Sequence, residues 1–99
     1  MVELNKDKYI AWLSKKDPQE EVGCPTLCAW CPIAEYLRDI YPDKQFYIRK
    51  IYYTYDYKTD KDLPKGRAWL PDWAVEFVSK VDHIGGTYIT AAKCLELLK

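Results

Sequence analysis

Three of the four cysteines fall within eight residues, in Cys24-Pro-Thr-Leu-Cys28-Ala-Trp-Cys31, and Pro32 follows directly. Two kinds of chemistry suit that spacing. The two-residue gap between Cys28 and Cys31 lets both sulfurs reach one ion from a tight turn, with Cys24 as a third ligand, so a zinc site is one expectation. Its fourth ligand would have to be Cys94, His83 or a carboxylate. The other is thiol redox. Proline is suited to the first position of a helix, which makes Cys31 an N-cap, and the positive end of the helix favours the reactive thiolate. Cys28 could then resolve it as a disulfide. Packing competes with both: Cys94 lies on the Ala91/Leu95/Leu98 stripe of a terminal helix, where a free cysteine behaves as a small hydrophobe. A loop held on the core by Leu27 and Trp30 would account for the other three.

Composition narrows the setting. Fifteen acidic and fifteen basic residues cancel, so no whole-molecule field steers the chain towards nucleic acid, membranes or acidic substrates. The opening residues Met-Val-Glu-Leu lack the apolar run of a signal peptide, and no stretch approaches the ~20 apolar residues of a membrane helix. The expectation is therefore a cytoplasmic protein with no membrane partner, where close cysteines are free thiols, ligands or redox groups and not structural disulfides. His83, the single histidine, sits where a third helix should end and complements its dipole there.

The second unusual stretch is Gln45 to Tyr57, crowded with aromatic and branched side chains typical of strands. Read as one strand with an irregularity near Lys50, it places Tyr47, Arg49, Tyr53, Tyr55 and Tyr57 on one face. Those five make a candidate binding surface for a protein partner or for a second copy in a homodimer, since a long edge strand invites pairing. Tyrosines interleaved with Arg49, Lys50 and Lys58 would also suit stacking of single-stranded nucleic acid; the balanced charge makes that the lesser expectation.

The remaining elements follow from capping and periodicity. Asn5 caps a first helix over residues 5–16 with Tyr9, Ile10, Trp12 and Leu13 on one stripe. Gln19 to Gly23 reads as a polar connection. Pro32 opens a second helix with Ile33, Leu37 and Ile40 inward. Lys58 to Lys65 is a charged loop, with Asp56, Asp60 and Asp62 among lysines, and Gly66 to Leu70 returns as an antiparallel partner strand. Pro71 opens a third helix with Trp73, Ala74, Phe77, Val78 and Val81 on its apolar face, stopped by Gly85-Gly86. A short strand at Tyr88-Ile89 leads to Thr90, which caps the last helix. The expectation is an α+β fold, about four helices packed on a small two- or three-stranded antiparallel sheet, as one compact domain over residues 1–99.

Three pieces carry a resemblance: Cys31-Pro-Ile-Ala-Glu-Tyr-Leu37, Leu70-Pro-Asp-Trp-Ala-Val-Glu-Phe-Val78 with Val81-Asp82, and Ile89-Thr-Ala-Ala92 with Leu95 and Leu98. Together they resemble small uncharacterised bacterial and phage-associated proteins with Cys-Pro-Leu-Ala-type, Leu-Pro-x-Trp-Ala and Thr-Ala-Ala-type helices, and the resemblance implies no activity. With no catalytic constellation in the sequence, the functional expectation is a non-catalytic protein-interaction module without a cofactor. A zinc or thiol-redox protein built on Cys24, Cys28 and Cys31 is the alternative, and a single-strand nucleic-acid binder the second.

Overall fold

Asn5 starts the first helix by accepting the Lys8 N–H on its side chain at 3.0 Å, which caps α1 (Lys6–Ser14). The computed structural model describes residues 2–58 and 65–99, so the middle of the predicted charged loop lies outside the described residues. Gln19 to Gly23 is not merely a connection: Glu21–Gly23 forms β1, a short strand with Val22 buried. Pro32 opens α2 (Pro32–Ile40) with Cys31 as N-cap. The inward residues of α2 are Ile33, Ala34, Tyr36 and Leu37, whereas Ile40, expected inside, is exposed at its end.

The aromatic stretch is a hairpin and not one strand. Lys44–Ile48 forms β2, the chain turns at Lys50-Ile51, and Tyr52–Tyr57 returns as β3, with Phe46 opposite Tyr55 and Ile48 opposite Tyr53. Gly66–Trp69 adds β4 antiparallel to β3, as expected, with Tyr52 opposite Trp69 and Thr54 opposite Arg67. Gly66 is required by close approach: the Tyr55 ring lies across it, and a Cβ there would collide with that ring.

Pro71 caps α3 (Asp72–Ile84), which ends at Gly85. Ile89–Thr90 forms β5 and pairs with β1 in a separate two-stranded sheet, while β2-β3-β4 make the three-stranded one. Thr90 accepts the Lys93 N–H at 3.2 Å and caps α4 (Ala91–Leu97). The fold is thus α+β, with four helices and two small antiparallel sheets among the described residues.

One core joins these elements. Tyr9 and Leu13 from α1, Ile33 and Leu37 from α2, Phe46 from β2, Phe77 and Val81 from α3 and Cys94 from α4 are all essentially excluded from water. The Tyr9 ring is its aromatic hub, with Tyr36 at 5.1 Å, Phe77 at 5.5 Å, Trp73 at 5.9 Å and Trp12 at 6.0 Å. Trp12 also donates to Asp39 Oδ2 at 2.8 Å, tying α1 to α2. Among the described residues no helix is long and apolar enough to cross a membrane.

Candidate functional site

The cysteine loop leaves β1 at Gly23, where a Cβ would lie 2.6 Å from Pro32 N, so only glycine lets the two ends of the loop close on each other. Cys24 N–H then donates to Trp30 O at 2.7 Å, and Ile48 N–H donates to Cys28 O at 2.9 Å, fastening the loop to the outer edge of β2. Arg38 donates to Ala29 O and lies over the Trp30 ring at 4.7 Å. Thr26 sits in the left-handed region at φ 70° and donates its N–H to Asp82 Oδ1 at 3.3 Å. That conformation costs a branched residue on the order of 1–3 kcal/mol, offset here by the surrounding bonds. The predicted anchors are not the anchors: Leu27 and Trp30 are 51% and 53% exposed, and Pro25 and Cys31 are the residues turned inward. Backbone hydrogen bonding holds the loop where apolar burial was expected to.

All four cysteines are free, and they divide into two pairs by environment. Cys31 caps α2 without a side-chain capping bond. Its position in the core pushes the thiol up to about 12, burial outweighing the lowering effect of the Ala34 and Ile33 N–H groups. The thiolate expected from the helix dipole is therefore disfavoured. Cys94, on its core stripe as expected, is likewise pushed to about 12 by burial and by the neighbouring Cys31 thiol. Of the three residues of the zinc reading, Cys24 and Cys28 are half-exposed and Cys31 is buried. Among the described residues no group of three or more His, Cys, Asp or Glu side chains is arranged to hold a metal ion.

These environments give two expected results. A thiol-specific reagent near neutral pH should modify Cys24 and Cys28 quickly and leave Cys31 and Cys94 protected until the chain unfolds; four equally fast thiols would contradict the assignment. Stability should also fall on the alkaline side. In the unfolded chain both buried thiols ionise near about 8.5, and in the folded chain at about 12. Their contribution is complete below the lower value and is lost as pH rises through the upper one, with about one extra proton released per thiol on unfolding in that window. Denaturant titrations at a series of alkaline pH values measure it, and a flat profile would be inconsistent with buried thiols.

Beneath the loop lies a cleft of about 240 Å³ lined by Cys28, Cys31, Arg49, Lys50, Val78 and Asp82. Arg49 Nη1 approaches Cys28 Sγ at 3.5 Å. The cleft continues past Lys50 into a larger hollow of about 480 Å³ beside Ser79 and His83.

The second candidate surface is rearranged by the hairpin. Because the chain reverses at Lys50-Ile51, the pairing of Phe46 with Tyr55 and Ile48 with Tyr53 puts Tyr53, Tyr55 and Tyr57 on the core-side face. Tyr53 is only 3% exposed, and burial raises its hydroxyl above the ordinary tyrosine value. Tyr47 lies on the opposite, outward face, opposite Thr54, and Arg49 sits at the turn over the cleft. The five residues expected on one face are therefore split between two.

What occupies the outward face is different. Tyr52, Thr54, Arg67 and Trp69 share it with Tyr47, by the pairing of Tyr52 with Trp69 and Thr54 with Arg67. Trp69 is 69% exposed, the most open of the large apolar side chains among the described residues. Its ring meets Tyr52 edge-on at 6.4 Å, and the Arg67 guanidinium lies 4.4 Å from the Tyr52 ring and 5.8 Å from the Trp69 ring. The sequence signal for this face lies in Arg67 and Trp69, two residues apart on a predicted strand and so on one side of it.

No family model matches the chain, and neither the curated proteins nor the solved structures give a match.

Proposed function

We propose that this chain is a non-catalytic interaction module that binds a protein partner through the outward face of its three-stranded sheet. The supporting observation is Trp69: a large indole, mostly in water, packed beside Arg67 and Tyr52. Tryptophan, tyrosine and arginine are the residue types that dominate binding energy at protein interfaces. A side chain already fixed before contact has less conformational freedom to lose on binding, worth about 0.5–1.5 kcal/mol per side chain. The site residues proposed for contact are Tyr47, Tyr52, Arg67 and Trp69, with Tyr53, Tyr55 and Tyr57 supporting the sheet from its other side.

Peptide display tests this reading. Selection on the wild-type chain, with counter-selection on Trp69→Ala, should enrich ligands whose capture needs Trp69 and persists in Cys28→Ser. Ligands indifferent to Trp69, or dependent on Cys28, would contradict it and turn attention to the cleft. A titration with oligothymidylate at low salt belongs beside it. Salt-sensitive quenching of tryptophan fluorescence that is lost in Trp69→Ala would replace the protein partner with a single strand stacked on Tyr52 and Trp69.

A further inference from the structure

The edge strand β4 defines what kind of partner fits. Leu70 N–H donates to Ile51 O at 2.9 Å. Backbone direction alternates along an antiparallel strand, so Ala68 and Leu70 face β3, and the N–H and C=O groups of Arg67 and Trp69 point off the sheet. Among the described residues β3 is the only strand beside β4. The other edge of this sheet is different, because Cys28 O covers Ile48 N–H. β4 contains no proline, and its one charged residue, Arg67, projects from the same face as Trp69, leaving the outward N–H and C=O groups uncovered among the described residues.

We propose that the partner is a second copy of this chain, joined β4 to β4 across a two-fold axis so that two three-stranded sheets become one continuous sheet. The proposal rests on the reading of this sheet as the contact surface and names its occupant. Symmetry and pairing chemistry then select the register. A continuous sheet needs outward-facing residues opposite outward-facing residues, which excludes every pairing offset by one. Arg67 opposite Arg67 would set like charges directly across from each other, which is destabilising, and Trp69 opposite Trp69 would set each Arg67 against Pro71, which has no N–H to donate. The register with Ala68 on the axis places Arg67 of each copy opposite Trp69 of the other. It satisfies the outward N–H and C=O of both residues in both copies. It also brings each guanidinium against a second indole, reciprocally, as a two-fold interface demands.

The experiment is directed cross-linking of the full chain carrying Cys24→Ser and Cys28→Ser, so that the two half-exposed native thiols are absent. Ala68→Cys in that background puts two thiols at a non-hydrogen-bonded pair, where the Cα separation of about 4.5 Å fits a disulfide. Mild oxidation should give a reducible dimer. Arg67→Cys should not, and sedimentation should show Arg67→Pro, which removes an outward N–H together with the guanidinium, associating at least about tenfold more weakly than the parent. A dimer that forms through Arg67→Cys and not Ala68→Cys overturns the register. Monomers at every concentration with no cross-link overturn the second copy as partner. In that event, display ligands that still require Trp69 would leave the contact face standing, and their absence would remove it as well.

Discussion

Tyr9→Ala is expected to destabilise the fold by roughly 3–5 kcal/mol, the range for losing a large buried aromatic. Tyr9→Phe, at the same position, is expected to leave stability unchanged or raise it. The contrast follows from the two ends of one side chain. The ring is completely buried and touches Tyr36, Phe77, Trp73 and Trp12 from three helices, so alanine opens a cavity where α1, α2 and α3 meet. A chain of this size has a total stability of about 5–15 kcal/mol, so the alanine variant would lie near the unfolding threshold. The hydroxyl, however, makes no hydrogen bond of good geometry. It meets the Cys94 thiol, a weak acceptor, and its acidity is suppressed first of all by burial. Phenylalanine keeps the ring contacts and removes a poorly satisfied buried group. Urea midpoints of the two variants measure both effects; a loss above about 2 kcal/mol in Tyr9→Phe would show that the hydroxyl–thiol contact is structural.

Trp69→Ala should behave in the opposite way, sparing the fold and removing association. Exposed at 69%, the indole contributes to the folded monomer chiefly through Tyr52 and Arg67. An exposed cation–π pair is worth about 0.5–1 kcal/mol, so the unfolding midpoint should move only slightly. At an interface the same truncation removes a hot spot of at least about 2 kcal/mol, or roughly thirtyfold in dissociation constant. Sedimentation beside denaturation separates the two quantities. Unchanged association, or a stability loss as large as that of Tyr9→Ala, would mean that Trp69 is not a contact residue.

What was legible in the sequence was local. Asn5, Pro32 and Thr90 announce helix starts because capping acts within one turn, and each starts a helix. Cys94 declared itself as core through helical periodicity. The misread features depend on contacts distant in sequence. Hairpins usually signal themselves by Asn-Gly or a related pair with positive φ; here the reversal falls at Lys50-Ile51, and Thr26 is the only non-glycine residue with positive φ among the described residues. Missing that turn fixed the wrong parity for every tyrosine after it, since one face of a strand is separated from the other by a single residue. β1 was missed because three residues cannot show a period, and its partner β5 lies far along the chain. For Cys31 the helix start was visible, but the burial that reverses its effect on the thiol was not.

The most direct test is an amide and indole chemical-shift series on the wild-type chain from about 10 μM to 1 mM, the span in which weak association becomes populated. The proposed contact lies at β4, so concentration-dependent shifts should appear at Arg67, Ala68, Trp69 and the Trp69 indole, and be absent from Trp69→Ala. Shifts confined to Cys28, Arg49 and Asp82 around the cleft, with Trp69 unmoved, would contradict the account.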